Sequence, residues 1–199
     1  MSDDLYYTIK EESSGLYTEK KSKFFSFAIP VASVEQIKER LEVFKKTYYD
    51  ARHICYAYVL GADRLTFRAN DNGEPSGTAG KPILGQINSR GLTDVLVVVI
   101  RYFGGIKLGT SGLITAYRAA AVEALDAAEV QEKTVTDTLC VSFEYPFMNE
   151  VMRVIKELEP HIVSQAYDTN CIMELSIRRG RLPQLAERLL KVDTLSIIH

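Results

Sequence analysis

The chain is short of several features that mark familiar protein classes. Its three cysteines, Cys55, Cys140 and Cys171, are odd in number and none stands at C-x-x-C spacing. Neither a disulfide framework nor a cysteine-based zinc site is therefore expected, and the three read as small buried hydrophobes. No uninterrupted apolar run approaches the ~20 residues of a membrane-spanning helix, and the opening MSDDLYYTIKEESSG lacks the basic-then-apolar build of a signal peptide. A cytoplasmic location without a membrane partner is the expectation. An excess of one charge is missing too: 24 Lys and Arg stand against 26 Asp and Glu, a formal net charge of -2, so the whole chain has no basic surplus pointing to nucleic acid.

The 199 residues, 46% apolar and 25% charged, suit one large or two small globular domains. The distribution of charge and glycine says more than the totals. From Arg52 to Arg118 there are eight Lys and Arg against four Asp and Glu, a local surplus of four positive charges. Nine of the twelve glycines lie between Gly73 and Gly112. Glycine is favoured where the backbone needs positive φ or comes close to another group, so loop geometry is most demanding there.

LYYTI and KFFSFAIPV, rich in aromatic and β-branched residues, predict strands, and Ser33 with Gln36 predicts a capping box. Val34, Ile37, Leu41 and Phe44 then form the stripe of a helix ending near Tyr48. HICYAYVL and LTFRA predict a hairpin across Gly61-Ala62-Asp63. DVLVVVIRYF has little alternation and predicts a central strand covered on both faces. It runs through GGIKLGTSG into LITAYRAAAVEALDAAEV, a helix whose seven alanines allow close approach to a sheet. From about Thr136 the pattern restarts as β-α-β-β-α-β, the ferredoxin-like order, with Pro146 and Pro183 opening its two helices. QEKTVTD is polar enough for a linker, giving domains 1–134 and 135–199 in an α+β chain.

In the strand-turn-helix unit, backbone N–H groups and the positive end of a helix dipole stand beside Lys107, Thr110 and Ser111, a setting that favours phosphate or carboxylate. The spacing of Gly104 and Gly109 is that of a Walker A loop, but Thr110 stands where lysine is needed and no G-x-G-x-x-G is present, so a mononucleotide P-loop is not expected. The alternative is that Gly104, Gly105, Gly109 and Gly112 only turn the chain, with Thr110 or Ser111 as N-cap. In NDNGEPSGTAG, Asp71 and Glu74 could bind a hard cation or act as acid and base provided both point into one cleft, whereas Asn-Asp-Asn-Gly is also an ordinary turn. The turn is preferred, and no metal, cofactor or catalytic residue is assigned. His53 shares a strand face with Cys55, and a lone histidine is more often structural than catalytic. Tyr56, Tyr58, Tyr102 and Tyr117 stack on unpaired bases if exposed and are core if buried.

RYFGGIKLGTSGLITAYRAAA, preceded by NDNGEPSGTAGKPIL and ARHICYAYVLG, closely resembles the signature of the IMPACT family, and the two-domain layout is similar to its bacterial branch. The resemblance implies a ribosomal protein S5 domain 2-like N-terminal domain, a C-terminal ferredoxin-like domain and, from the eukaryotic members, a role in regulating translation. The family motifs fall on His53, Asp71, Gly73, Glu74, Pro75, Gly77, Thr78 and Gly80, on Arg101, Gly104, Gly105, Lys107, Gly109 and Gly112, and on Tyr117.

The expected function is thus a non-enzymatic, translation-linked protein that contacts RNA or the ribosome through Arg101, Lys107, Arg118 and the amides from Gly104 to Gly112. Two alternatives stay open: a phosphate- or nucleotide-binding enzyme using the same pocket, and a regulator that docks a protein partner of the translation machinery.

Overall fold

The computed structural model describes residues 4–198. The chain is α+β with antiparallel sheets and divides into two compact units, one of residues 6–133 and one of residues 134–198 together with Asp4 and Leu5. Among the described residues no helix is long and apolar enough to cross a membrane.

The first unit is built on a five-stranded sheet ordered β2 (Ser13–Glu19), β3 (Ser22–Pro30), β6 (Val95–Tyr102), β4 (His53–Leu60), β5 (Thr66–Asn70). β6 is central because it is apolar on both faces. Val95, Val97 and Val99 enter one core with Phe24, Cys55 and Tyr117, while Leu96, Val98 and Ile100 enter a second with Ile37, Leu41 and Phe44. Each such buried side chain contributes about 1.5–3 kcal/mol. Helix α1 (Val34–Thr47) covers the second core. Ser33 caps it by accepting from the Gln36 N–H at 3.2 Å, and the Gln36 side chain returns one residue early, to the Ala32 N–H at 2.8 Å.

Helices α2 (Gly80–Ser89) and α3 (Gly109–Asp126) cover the other face. The alanines of α3 do what the sequence suggests: Ala116, Ala120, Ala121 and Ala124 are fully buried. The approach is close enough that a Cβ on Gly15 of β2 would lie 2.5 Å from the Glu123 Cβ.

Three elements depart from the sequence expectation. β2 was not foreseen, since its residues alternate only between half-buried and exposed. α2 was hidden by Gly80, Pro82 and Gly85, yet Ile83 and Ile87 bury fully beneath it. Val130–Thr134, inside the expected linker region, is a strand, β7, paired with β1 (Leu5–Ile9). Every β7 residue is exposed, so nothing in its hydropathy distinguishes it from a loop.

The second unit runs β8 (Thr136–Phe143), α4 (Met148–Leu158), β9 (His161–Tyr167), β10 (Cys171–Arg178), α5 (Leu182–Leu189), β11 (Ser196–Ile198). Its sheet order is β11-β8-β10-β9, all neighbours antiparallel. Val141, Phe143, Met173 and Leu175 of the sheet pack against Val151, Leu185 and Leu189 of the helices.

Candidate functional site

A cleft of about 670 Å³ opens in the first unit, lined by Asp50, Arg52, His53, Glu74, Pro75, Arg101, Tyr102, Phe103, Lys107, Leu108, Gly109, Thr110 and Leu113. The fold assembles it from four places. β4 and β6 set His53 opposite Arg101 in register, the 71–79 loop brings Glu74, and the turn after β6 brings Phe103 and Lys107 to the start of α3.

The Arg101 side chain does not stand ready for phosphate. It is buried, its Nη1 donates to Glu74 Oε1 at 2.7 Å, and its guanidinium lies 5.7 Å from the Phe24 ring and 5.6 Å from the Phe103 ring. Glu74 Oε1 also accepts from the Tyr117 hydroxyl at 2.8 Å, and the Cys55 Sγ lies 3.4 Å from that hydroxyl. Burial, and then the neighbouring Cys55 and Glu74, hold the Tyr117 hydroxyl far above its ordinary value. Burial pushes the Cys55 thiol up to about 12, so it is no nucleophile for His53 to activate. The inner end of the cleft is therefore a hydrogen-bonded network in which a positive and a negative charge are paired, with the Arg101 Nε buried and left without a hydrogen-bond partner.

Asp71 serves the fold. Its Oδ1 accepts from the Ala79 N–H at 3.0 Å and the Gly80 N–H at 2.8 Å, and its Oδ2 from the Gly77 N–H at 2.8 Å. Partial burial acts to raise this carboxyl, but the three amides, helped by Lys81, outweigh it and hold the group below its ordinary value. The carboxylate is thereby occupied by backbone amides, and α2, which has no cap from its own N-cap residue Ala79, is capped from upstream. Thr78 donates its hydroxyl to the Pro75 carbonyl at 2.6 Å and fixes the same loop.

The loop also orients His53. Its Nδ1 lies 2.9 Å from the Asn72 carbonyl, with Gly73 packed against the ring. A carbonyl only accepts, so Nδ1 carries the proton and Nε2 is the nitrogen left to act in the cleft. Asn72 is held in turn by its Nδ2, which donates to the Ile54 carbonyl at 2.9 Å.

The exposed cations of the rim are Arg52 and Lys107, and among the described residues neither enters an ion pair. Asp50, the other rim carboxylate, accepts from the Tyr102 hydroxyl at 2.7 Å. That bond, followed by burial, pushes Tyr102 up to about 12. Phe103 stands 56% exposed beside them.

Several expected partners are dispersed. Arg118 lies in a separate hollow with Gly77 and Lys81, and Ser111 and Gly112 line another with Lys20. Neither Thr110 nor Ser111 caps α3; Leu108 occupies that position and offers no side-chain bond. The tyrosines do not form a stacking surface either: Tyr58 and Tyr117 are core, Tyr56 and Tyr102 are half-buried, and the exposed ring lining the cleft is Phe103. Gly104 donates its N–H to Ser22 Oγ at 3.1 Å, and a Cβ there would lie 2.0 Å from the Lys21 carbonyl carbon, so it is a docking point for the β2–β3 turn. Gly105 stands exposed beyond it.

The site's sequence is also a family's. Residues 20–125 match the model described as the Impact N-terminal domain. The chain is 36% identical over 182 residues to IMPACT family member YvyE of Bacillus subtilis, covering 92% of this chain and 84% of that protein. With IMPACT family member YigZ of Escherichia coli it shares 32% identity over 172 residues, 85% and 84% of the two chains. A crystal structure described only as that of a hypothetical protein superposes with a TM-score of 0.77 at 28% identity, covering 98% of this chain and 97% of the other. The chain belongs to the IMPACT family.

Proposed function

We propose that this protein is a translation-linked binding protein that takes single-stranded RNA, free or exposed on the ribosome, in the cleft of its first unit. The observation that carries this reading is the exposed Phe103 ring set beside the unpaired cations Lys107 and Arg52, above an inner wall whose Arg101 and Glu74 charges are paired. Bases stack on an exposed ring whatever their identity, at about 1–3 kcal/mol each, while lysine and arginine hold phosphates. Translation enters through the family resemblance. The strand order of the second unit supports the ferredoxin-like reading, and we read the first as S5 domain 2-like; both fold names are part of the proposal.

The test is co-sedimentation with ribosomes and fluorescence anisotropy with single-stranded RNA over a salt series, for wild type, Lys107→Ala and Phe103→Ala. Both positions are exposed and neither side chain belongs to a core cluster. Lys107→Ala is expected to weaken binding and flatten the salt dependence, and Phe103→Ala to weaken binding with the slope unchanged. Wild-type binding that is absent, or indifferent to both substitutions, sinks the reading.

A second reading, a phosphorylated small molecule or nucleotide handled by an enzyme, is favoured by one observation: the fixed tautomer of His53, which leaves Nε2 as a proton acceptor in the cleft. Stabilisation by a nucleotide in a thermal-shift screen, with no affinity for RNA, would select it.

A further inference from the structure

β2 and β3 pair from Ser13 opposite Ala28 to Glu19 opposite Ser22, leaving Lys20 and Lys21 as a two-residue turn. Both are left-handed, with φ of 46° and 64°. A tight hairpin turn with two left-handed residues is the place for Asn-Gly or Gly-Gly, and a residue with a long side chain is strained there. This chain puts lysine at both positions. Lysines elsewhere on the two strands would serve solubility without left-handed backbone, so the turn holds two charges at one point in space against a conformational penalty.

That point is fixed by the Gly104 contact, which clamps the turn against the end of β6, one residue beyond Phe103. On one side Lys21 and Lys23 line a hollow of about 480 Å³ with Phe25, Tyr48, Tyr102 and Phe103. Tyr102 and Phe103 are also walls of the main cleft, so the two cavities adjoin. Lys20 lines another hollow with Glu19, Leu108, Ser111, Gly112 and Thr115 at the start of α3, and Leu108 is also a wall of the main cleft. Among the described residues none of the three lysines enters an ion pair.

We infer that Lys21 and Lys23 in one hollow and Lys20 in the next form a phosphate track across the turn, which takes the backbone of the nucleotides adjoining the one whose base stacks on Phe103. The inference rests on the RNA reading of the cleft and gives the ligand a length: one nucleotide fills the cleft and its neighbours run out over the turn. Arg52 and Lys107 then hold the first phosphate, and the turn lysines the next ones.

The experiment measures binding of a labelled ribonucleoside monophosphate, one nucleotide long, and of a labelled nine-nucleotide single-stranded RNA to the full chain over a salt series. The decisive variant is Lys20→Asn/Lys21→Gly, which removes two charges while supplying the residues the turn prefers. It is expected to unfold at or above the wild-type temperature and to bind the nine-nucleotide RNA at least tenfold more weakly. Its logarithmic salt slope should be shallower by about 1.4, roughly 0.7 for each lost phosphate contact. The mononucleotide, which ends inside the cleft, should bind it as it binds wild type. Lys23→Ala, on the strand beside the turn, is expected to lose about half as much slope. Lys107→Ala should weaken both lengths. Nine-nucleotide binding within twofold of wild type, or an equal loss for both lengths, overturns the track. If wild type holds neither length, the cleft reading itself falls.

Discussion

Arg101 and Glu74, 27 residues apart in the chain, meet at 2.7 Å with 9% and 4% of their side chains exposed. The pair closes the inner end of the cleft, and it governs which substitutions can be interpreted. Arg101→Ala leaves a buried carboxylate without its cation, a change that costs about 3–5 kcal/mol. We expect it to lower stability in urea unfolding by that amount, whereas Glu74→Gln/Arg101→Met, which removes both charges and keeps an acceptor for Tyr117, recovers most of the loss. An Arg101→Ala protein as stable as wild type would show that the pair contributes little.

Asp71 gives the fold an acid sensitivity of known sign. A carboxyl held below its ordinary value stabilises the folded state above that value, and the contribution disappears as the pH falls through its lowered folded-state value. The loss therefore begins below about pH 4, the ordinary range of the group. Asp71→Asn should be less stable at neutral pH by about 1 kcal/mol, the usual worth of a capping side chain. Its stability should also fall less steeply than that of wild type between pH 4 and 2.

The Gly104 contact predicts a large effect from one added methyl group. Gly104→Ala places a carbon where the Lys21 backbone already is, so the turn or the end of β6 must shift. A loss of at least about 2 kcal/mol is expected, within the range of overpacked sites. Thermal unfolding measures it, and an unchanged midpoint would mean the turn is not clamped.

Thiol reactivity should sort by environment. Cys55 is buried with its thiol pushed up to about 12, Cys171 is buried, and Cys140 is half-buried. Iodoacetamide at pH 8, followed by peptide mass spectrometry, should label Cys140 first and leave Cys55 unmodified until the protein unfolds. Early labelling of Cys55 would contradict the hydrogen-bonded network behind the cleft.

What the sequence made legible was local. β6 announces itself because six successive side chains from Val95 to Ile100 are all buried, and α3 because its alanines repeat at helical spacing. The second unit's element order is readable for the same reason, with each apolar stripe facing a single core. The rest depends on partners far along the chain. α2 looks like a loop because its cap, Asp71, lies nine residues before Gly80. Arg101 looks like a free cation until β6 is placed beside the 71–79 loop and Glu74 is found against it. Lys20, Lys21 and Lys23 stand in E-K-K-S-K, a stretch that composition alone does not single out. Only the turn geometry makes their positions unusual.

The glycine contacts at Gly15 and Gly104 have a further effect. At Gly104, next to Phe103, the β2–β3 turn meets the end of β6 backbone against backbone, and at Gly15 the distal part of α3 meets β2 in the same way. Contacts of this kind have few rotamers to freeze, so the ordering entropy of association falls on the exposed rim side chains and on the guest. A flexible strand bears that cost heavily and a rigid one lightly. Stiffness of the guest, as much as its charge, then decides what the cleft retains.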